Sequence, residues 1–328
     1  MMFVLRLAND YPSLAKAELR AVLEAELGYS TNFIQLGEFV VLDLCREYVE
    51  RIVHRLALLK EFGQLISLLN EDVDGVVSVL KDVNARFDVE RVRGFGSKAA
   101  HKLYEILVSR SNARSNKKVK VVLVDGIVLI YEYIPRKRMA VFGTREPHRR
   151  PIYRPGAMKA ELARVFVNLS RVRRGEVLMD PFCGVGGFAI EACTMGISTI
   201  CIDVDKRMVE GCKENVEFYE CKGLVEVIQS DSSRRIMKSF SVDAIASDPP
   251  YGRQSVSRGM SLTELYERFV SWIPEVLRSG RYAAFAVPKD IDGYVKDRIR
   301  EHGMVIVERL LNRVHGGLTR IVYVVKVP

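Results

Sequence analysis

Apolar segments and amphipathic segments alternate along the chain from residue 157 to its end. The apolar segments have the length of buried strands, and the segments between them carry apolar residues at helical spacing. Helices are predicted at 157–168, 186–195, 206–219, 263–277 and in a segment that ends near Arg300, and strands at 176–179, 198–203, 224–229, 242–247, 281–287, 304–311 and 320–327. Strands joined through helices lie parallel. We therefore predict an α/β fold with a mostly parallel, doubly wound seven-stranded sheet whose last two strands form an antiparallel edge hairpin.

A short acidic, proline-rich and aromatic motif follows one of these strands. Asp248-Pro249-Pro250-Tyr251 comes directly after the apolar run that begins at Val242. In an open parallel sheet, ligands bind outside the carboxyl ends of the strands. The Asp248 carboxylate and the Pro249 carbonyl are suited to accept the two N–H bonds of an amino group on a planar base, and Tyr251 is suited to stack on that base. Proline and aspartate are also common in turns, so the motif alone equally fits a strand-ending turn.

A glycine-rich turn follows an earlier strand. The strand 177–179 runs into Asp180-Pro181-Phe182-Cys183-Gly184-Val185-Gly186-Gly187. Glycines allow the backbone to approach a ligand where side chains would collide. The G-x-G-x-x-G spacing of a dinucleotide site is absent, so the turn does not indicate a pyrophosphate. Acidic residues end or follow the next two strands, at Asp203 and Asp231.

The positive charge is concentrated in the middle of the chain. Residues 86–174 hold 22 Lys and Arg against 7 Asp and Glu, a net charge of +15, so the remaining residues sum to −6. Such a concentration is typical of a protein that binds a polyanion. The basic residues lie in alternating and loop-like segments rather than on one amphipathic helix, which disfavours a membrane surface. An ordinary solvated surface is the remaining alternative.

The pattern of elements divides the chain into four segments. Residues 1–60 follow the order β-α-β-β-α, which is typical of a ferredoxin-like unit. Residues 61–135 form a second α/β segment that ends in a hairpin across Asp125-Gly126. Residues 136–156 are rich in proline and arginine and indicate a stiff, basic linker. We predict that this linker contacts phosphate or the domain that follows, and a solvated tether is the alternative. Residues 157–328 form the doubly wound domain.

The cysteine spacing and the N-terminal segment indicate the cellular compartment and whether a metal site is expected. None of the six cysteines forms a C-x-x-C pair and no histidines lie at zinc spacing, so we predict buried, reduced cysteines and no metal site. The segment from Met1 to Ala8 lacks a basic region and a cleavage pattern. No apolar run approaches the roughly 18 residues of a membrane span. We predict a cytoplasmic protein.

The glycine-rich turn, Asp203 and Asp231 resemble the first three motifs of class I S-adenosylmethionine methyltransferases, and D-P-P-Y falls at the fourth motif of the amino-methyltransferase branch. The resemblance implies that the turn holds the methionine part of the cofactor, that Asp203 binds the ribose hydroxyls and that Asp231 contacts the adenine amino group. The cofactor-binding residues implied in this way are Asp180, Phe182, Cys183, Gly184, Gly186, Asp203, Val204, Asp231, Ser232 and Asp248. The catalytic residues are Asp248, Pro249, Pro250 and Tyr251. Asp205 is interpreted as a helix N-cap, and a substitute for Asp203 in the ribose contact is the alternative.

The front half resembles a THUMP domain, an RNA-binding unit of tRNA-modifying enzymes, in its strand 86–93, its following helix and its two-strand finish. With the segments in this order, the chain resembles the archaeal tRNA guanine-10 N2-methyltransferases over essentially its whole length, including Arg154 to Met158 and Arg313 to Arg320. The resemblance implies methyl transfer to the exocyclic N2 of a guanosine in tRNA. The RNA-binding residues predicted are Lys98, Lys117, Lys118, Arg136, Lys137, Arg138, Arg149 and Arg150. Some relatives work with a small zinc-binding activator subunit, which is a further partner that the resemblance suggests.

Several alternatives stay open at this point. Other THUMP enzymes methylate guanine at tRNA position 6 or 26, and a D-P-P-Y motif also serves adenine N6. A catalytically inactive RNA-binding scaffold is a different class of function. Arg253 and Arg258 indicate either RNA contacts on a mobile lid after the motif or a solvated loop. His315 and Arg320 indicate either contacts to RNA or the target loop, or the turn of an edge hairpin. A nucleophilic role for Cys183 is disfavoured, because the D-P-P-Y position holds no cysteine.

Overall fold

A computed structural model describes residues 1–94, 97–135, 142–234, 237–251, 260–315 and 318–328. The chain forms two compact units. Unit 1 consists of Met1–Pro12, Thr31–His54 and Leu59–Lys137, and unit 2 consists of Ser13–Ser30, Arg55–Leu58 and Arg138–Pro328. None of the helices within the described ranges combines the length and the apolar composition that a membrane span requires.

A seven-stranded sheet forms the body of unit 1. Its strands are β1 (Met2–Leu7), β2 (Ile34–Leu36), β3 (Phe39–Asp43), β4 (Leu59–Asn70), β5 (Arg86–Arg93), β6 (Lys118–Val124) and β7 (Ile127–Ile134), in the order β2-β3-β1-β4-β7-β6-β5. Only β5 and β6 pair in parallel among these strands. The helices described in the N-terminal half are α1 (Pro12–Leu27), α2 (Arg46–Arg55), α3 (Val73–Val79) and α4 (Ser97–Ser109).

Strand β6 shows why this sheet is covered on both faces. Successive side chains of a strand point to opposite faces of the sheet. Val119 and Val121 pack in one apolar cluster with residues of α3 and α4. Val122 and Val124 pack in a second cluster with Phe39 and other residues of β1, β3 and β7. An apolar run without alternation is therefore consistent with a strand buried on both sides.

The boundary predicted at residue 60 falls inside β4. This strand pairs with β1 on one side and with β7 on the other, so the sheet continues across the predicted boundary. The sequence also predicts a second helix that extends to Leu59, whereas α2 ends at Arg55. Leu59 continues the helical spacing of Val53 and Leu56, but it pairs with Leu7 of β1 and therefore begins β4 instead.

A second seven-stranded sheet forms the body of unit 2. Its strands are β8 (Val177–Asp180), β9 (Ser198–Asp203), β10 (Val225–Gln229), β11 (Val242–Ser247), β12 (Leu277–Pro288), β13 (Val305–His315) and β14 (Leu318–Lys326), in the order β10-β9-β8-β11-β12-β14-β13. The helices described here are α5 (Ala160–Leu169), α6 (Gly187–Cys193), α7 (Lys206–Phe218), α8 (Leu262–Val276) and α9 (Asp292–Glu301). The strands are parallel except for the pairings of β14 with β12 and β13. The predicted doubly wound fold with an antiparallel edge hairpin is confirmed.

Aromatic packing links the core of unit 2 to the glycine-rich turn. Phe269 on α8 is fully buried and makes edge-to-face contacts with Phe285 on β12 and with Trp272, at centroid distances of 5.1 and 5.3 Å. The same ring meets Phe182 of the turn edge to face at 5.4 Å. Such pairs contribute about 0.5–1.5 kcal/mol beyond the area they bury. The position of Phe182 is therefore set by the core beneath it.

A buried polar network includes N-terminal segments in unit 2. Glu18 on α1 has no solvent exposure and accepts hydrogen bonds from the backbone N–H groups of Ala57 and Leu58, both at 2.8 Å. Asn168 on α5 donates to Glu18 at 2.7 Å and accepts from the Arg55 guanidinium at 2.9 Å. A buried charge is tolerated only when it is hydrogen-bonded or paired. The network therefore ties α1 and the segment around Arg55 to α5.

Replacing Asn168 with alanine should lower the free energy of unfolding by about 2 kcal/mol or more, because Glu18 and Arg55 each lose a buried hydrogen bond to a charged group. Urea denaturation of the full chain measures this change. Asn32→Ala is the matched control, because Asn32 is exposed, and its midpoint should stay close to that of the unsubstituted protein. Equal midpoints for the two variants would contradict a structural role for the network.

Candidate active site

The strand order of unit 2 creates a crevice between β8 and β11. From β8 the chain proceeds outward through β9 and β10, and it then returns to place β11 on the other side of β8. Such a reversal leaves an opening at the carboxyl ends of the two central strands. The glycine-rich turn follows β8 and the D-P-P-Y motif follows β11. The fold therefore brings the two motifs to the same opening.

Hydrogen bonds fasten the glycine-rich turn to the end of β9. The backbone N–H of Gly184 donates to the Asp203 carboxylate at 2.9 Å, and that of Cys183 donates to the carbonyl of Ile202 at 3.0 Å. Gly186 has a φ of +85°, and a Cβ atom there would lie 2.7 Å from the sulfur of Cys212. Glycine is required at this position both by the backbone conformation and by the close approach of α7.

Asp203 has the location expected of a cofactor-binding carboxylate at a strand end. One of its oxygens accepts from Gly184 and the other accepts from the backbone N–H of Asp205, both at 2.9 Å. Burial raises the pKa of Asp203, and these two backbone hydrogen bonds oppose the rise. Asp205 accepts from the backbone N–H of Arg207 at 2.9 Å and caps α7, which confirms its interpretation as an N-cap.

Asp180 lies beneath the turn rather than on its open side. Its side chain has no solvent exposure, and one oxygen accepts from the Ser247 hydroxyl at 2.7 Å and from the backbone N–H of Phe182 at 3.3 Å. Burial raises the pKa of Asp180 well above its usual range. Asp180, at the end of β8, therefore links the turn to β11, and its described contacts are structural.

A cavity of about 670 Å³ opens above these elements. Its volume lies within the roughly 300–1,000 Å³ typical of small-molecule sites. The predicted cofactor residues that line it are Phe182, Cys183, Gly184, Asp203, Val204 and Asp248. Asp180, Gly186, Asp231 and Ser232 are not among the described residues of its wall. Asp231 instead accepts from the backbone N–H of Ser233 at 3.0 Å, and the Ser232 carbonyl accepts from the Trp272 indole at 3.0 Å.

Several residues of the cavity wall were not predicted as cofactor residues. They are Arg150, Arg154, Pro155, Gly156, Ala157, Met158, Ala163, Val185, Gly187, Phe188, Asp205, Arg207, Met208 and Pro250. The sequence predicts that the linker through Gly156 contacts phosphate or the next domain, but without regular periodicity it does not indicate which side chains line a cavity. The helix starts later than predicted, at Ala160, which leaves the preceding residues free to form part of the wall.

The D-P-P-Y motif is held by a buried arginine from β14. A terminal nitrogen of Arg320 donates to Oδ2 of Asp248 at 3.1 Å and to the Tyr251 hydroxyl at 3.4 Å, and the Arg320 Nε donates to Asn312 at 2.8 Å. The Arg320 side chain is 4% exposed and that of Asp248 is 15% exposed. The other carboxylate oxygen, Oδ1, is buried and has no hydrogen-bond partner in the described part of the chain. Burial raises the pKa of Asp248 to about 6, and the charge and hydrogen bond of Arg320 oppose the rise.

The predicted RNA-binding residues have different surroundings. Lys98 on α4 and Arg149 are exposed. Lys117 pairs with Glu132 at 2.8 Å and Lys118 pairs with Asp88 at 2.7 Å. Arg136, Lys137, Arg138, Arg253 and Arg258 lie outside the described residues, as does the side chain of His315.

Burial removes part of the positive charge counted between residues 86 and 174. The buried basic residues described in this segment are Lys120, Arg145, Arg150, Arg164 and Arg171. Arg150 was predicted to contact RNA, but it is only 5% exposed and lines the cavity described above. Composition therefore overstates the charge that this segment presents to a polyanion.

The cysteines differ from the prediction of six reduced, buried thiols. Cys193 and Cys221 form a disulfide, because the end of α6 and the turn after α7 bring their Cα atoms to 5.9 Å across 28 residues of sequence. Cys45 is exposed. The remaining cysteines, Cys183, Cys201 and Cys212, are free and buried, and their sulfurs lie within 4.8 Å of one another. Sequence spacing predicts neither the disulfide nor the group of three thiols, because the cysteines of each lie on separate elements that only the fold brings together.

Comparison with known proteins identifies the family. Residues 147–321 match the family described as RMKL-like, methyltransferase domain. A tRNA (guanine(10)-N2)-dimethyltransferase of Methanothermobacter thermautotrophicus is 32% identical over 99% of this chain and 99% of its own length. The enzyme of the same name from Pyrococcus abyssi is 30% identical, also over 99% of both chains. The chain belongs to the family of archaeal tRNA (guanine(10)-N2)-dimethyltransferases.

A solved structure supports the fold assignment. TrmN from Thermus thermophilus is similar with a TM-score of 0.60 and 16% identity, over the full length of both chains. At this identity the similarity concerns the fold alone. The family predicted from the glycine-rich turn, the D-P-P-Y motif and the order of the segments is confirmed.

Gly186→Ala should destabilise the protein more than Gly175→Ala. The two glycines have φ values of +85° and +82°, but only a Cβ atom at Gly186 meets another residue, the sulfur of Cys212. Overpacking of this kind costs about 1–3 kcal/mol in addition to the shared backbone strain. Urea denaturation of both variants measures the difference. Adding Cys212→Ala to Gly186→Ala should recover part of the loss, and a double variant no more stable than Gly186→Ala alone would argue against the steric cause.

Proposed function

We propose that this protein is an S-adenosylmethionine-dependent tRNA methyltransferase that modifies the exocyclic N2 of a guanosine, at position 10. The observation that carries the proposal is full-length similarity to enzymes named for that reaction. The site agrees with it chemically, because a buried carboxylate with one free oxygen lies on the wall of a cavity of cofactor size. Alternatives at tRNA positions 6 and 26, and at adenine N6, are outcomes of the experiment below.

The residues of the cavity fit S-adenosylmethionine. Asp203 ends β9 and borders the cavity, and each carboxylate oxygen keeps a lone pair for a ribose hydroxyl beyond its backbone hydrogen bond. Gly184 has no side chain that would fill the adjacent space, since a Cβ atom there meets nothing within 4 Å. When bound, the cofactor would supply an electrophilic sulfonium methyl group.

The D-P-P-Y motif orients the target amino group. The N2 lone pair of guanine is delocalised into the ring, so this nitrogen is a weak nucleophile. Oδ1 of Asp248 and the carbonyl of Pro249 accept its two N–H bonds, which favours a pyramidal nitrogen with its lone pair directed at the methyl group. Tyr251 stacks on the base. The acceleration comes mainly from orientation and preorganised acceptors.

Asp248 acts first as an acceptor and only later as a proton carrier. A strong base is not required before transfer, because methylation leaves a cationic nitrogen that loses its proton readily. That proton passes to Asp248 or to water. A carboxylate with a pKa of about 6 is ionised at neutral pH and is still able to receive a proton at that stage.

Arg320 determines which oxygen of Asp248 is available. It occupies Oδ2 and leaves Oδ1 free. Arg320 is itself held by the hydrogen bond to Asn312 and by packing over the Phe166 ring, with 5.6 Å from its guanidinium carbon to the ring centroid. We assign Arg320 as a positioning residue, because it acts on the base only through Asp248 and Tyr251.

The target base must leave its stem before it reaches this motif. Unstacking and unpairing a base costs a few kcal/mol, which contacts elsewhere on the RNA must offset. Lys98 and Arg149 are exposed basic side chains suited to phosphate contacts. The THUMP assignment of residues 61–135 and the linker role of 136–156 belong to this proposal.

The activator subunit remains a prediction. Strand β13 lies at the end of its sheet, and Val305, Val307 and Leu311 on it are exposed. An edge strand with exposed apolar residues is suited to pair with another chain.

Incubating the full chain with labelled S-adenosylmethionine and unmodified tRNA should give label in N2-methylguanosine or N2,N2-dimethylguanosine. Nucleoside analysis identifies the product, and replacement of guanosine 10 by adenosine should abolish it. Label that survives this replacement moves the assignment to position 6 or 26, and label in N6-methyladenosine refutes the guanine assignment.

The matched variants of this assay are Asp248→Ala and Asp290→Ala. In the first variant, the turnover rate should fall by several orders of magnitude, because the acceptor of the target amino group is removed. Cofactor binding should be retained, because Asp203, the proposed ribose ligand, is unchanged. Asp290 is exposed in a turn after β12, and its replacement should leave turnover unchanged. Full activity of Asp248→Ala refutes the proposed role of the motif.

The rate should fall about tenfold per pH unit below a pH near 6, because Asp248 then carries a proton and its free oxygen no longer accepts. Arg320→Met should move this acidic limb to higher pH, since the arginine opposes the rise that burial causes in the Asp248 pKa. The measurement is kcat/KM for tRNA as a function of pH.

Arg313→Met is the control for this shift. Arg313 is exposed on β13, so its replacement should leave the acidic limb near pH 6. Among the described residues, the hydroxyl of Tyr251 accepts from the same Arg320 nitrogen as Asp248 does. Burial raises the pKa of Tyr266, whose pKa the charge of Asp248 also raises, well above its usual range, so Tyr266 stays neutral. An Arg320→Met profile that coincides with that of the unsubstituted enzyme removes Arg320 from the mechanism.

A further inference from the structure

Arg150 is a buried arginine whose two terminal nitrogens lack hydrogen-bond partners. The residue directly follows the short 3-10 helix Pro147–Arg149 and is 5% exposed. Its Nε donates to the carbonyl of Arg145 at 3.0 Å. Both Nη1 and Nη2 are buried and find no acceptor among the residues that the structure describes. A guanidinium in this state is costly unless something else supplies the acceptor.

The neighbouring carboxylate is already committed to two other arginines. Glu191 on α6 has no exposure and accepts from the Arg145 Nε at 2.7 Å and from the Arg145 Nη2 at 3.1 Å. The same carboxylate accepts from the Arg164 Nε at 3.1 Å. Two buried guanidinium groups therefore pair with one buried carboxylate, and the charge of Arg150 nearby adds to the excess of positive charge.

In the described ranges of the chain, no other group accepts a hydrogen bond from the terminal nitrogens of Arg150. Burial lowers the pKa of Arg150, and the charge of Glu191 opposes this, followed by Tyr219 and Glu146. The Tyr219 hydroxyl donates to the carbonyl of Thr144 at 2.8 Å. Arginine keeps its proton at any working pH. The site therefore has a fixed positive charge that an anion would compensate.

Arg150 lies on the wall of the cofactor cavity beside the glycine-rich turn. Gly184 and Gly187 line the same cavity. A Cβ atom at Gly187 would lie 3.2 Å from Nη1 of Arg150, so a larger residue there would crowd the guanidinium. The planar fork of two terminal N–H groups matches the two oxygens of a carboxylate. An α-carboxylate is the one carboxylate group of S-adenosylmethionine.

We propose that Arg150 binds the α-carboxylate of the amino-acid part of the cofactor. This inference rests on the proposed function, which names the cofactor, and it replaces the predicted RNA contact of Arg150. The carboxylate completes the cluster by adding the missing negative charge, and the backbone of the turn keeps the approach open. The glycines position the ligand, and Arg150 favours a ligand that carries the carboxylate over one that lacks it.

The test compares S-adenosylmethionine with its decarboxylated form, which lacks only the carboxylate. Calorimetric titration of the full chain without RNA gives both dissociation constants and involves no turnover. The unsubstituted protein should prefer the carboxylated ligand by on the order of 100-fold, the size expected for a buried charged hydrogen-bonded pair. Arg150→Met should reduce this preference to within a few fold, and Arg150→Lys should give an intermediate value.

Arg149→Met and Arg154→Met are the controls. Arg149 is the exposed neighbour in sequence, and its replacement should keep the preference. Arg154 lines the same cavity and is the alternative binding partner for the carboxylate. Retention of the preference in Arg150→Met, or its loss in Arg154→Met alone, overturns the inference. Weaker binding of tRNA by Arg150→Met with an unchanged ligand preference restores the RNA contact instead.

Folding and the proposed function are checked separately. The ligand-free Arg150→Met variant should melt at the same temperature as the unsubstituted protein or higher, because it lacks an unpaired buried cation. A lower melting temperature, with equal weakening of both ligands, assigns Arg150 a structural role and contradicts the inference. Failure of the unsubstituted protein to bind either adenosyl ligand refutes the proposed function itself.

Discussion

Buried charges in the interior of unit 2 need partners on other elements, and this requirement shapes much of its structure. An ion removed from water is stabilised only by hydrogen bonds and opposite charge of good geometry. Glu18 meets this requirement through the backbone after α2 and through Asn168, and Glu191 meets it through Arg145 and Arg164. Each contact joins segments distant in sequence, so the pairing of charges determines which segments pack together.

Two residues with buried polar atoms that this pairing leaves without partners also line the cavity of the candidate site. Oδ1 of Asp248 is a buried acceptor with no donor, and the terminal nitrogens of Arg150 are buried donors with no acceptor, within the described residues. Both residues border the same cavity. One group is suited to an amino group and the other to a carboxylate. The disulfide between Cys193 and Cys221 lies in the same apolar cluster as the three free buried thiols, and one of these, Cys183, belongs to the turn.

The fold of residues 157–328 could be predicted because its central strand β11 is buried on both faces and its helices are amphipathic, so spacing separates the two. The prediction was less accurate near residue 60, where Leu59 continues the helical spacing of α2 but pairs with Leu7 of β1 and so belongs to β4. The motif residues of the site were found from their order. The wall at Arg154–Met158 was not, since it has no periodicity.

The sequence by itself determined the order of strands and helices in the second half, the two motifs and the family. Those depend on local composition, local spacing and position along the chain. Only the tertiary structure decided which basic residues are buried, which oxygen of Asp248 stays free and which cysteines meet. Those properties depend on contacts between residues far apart in the chain, as between Asp248 and Arg320, and a run of arginines has the same appearance in sequence whether it is solvated or enclosed.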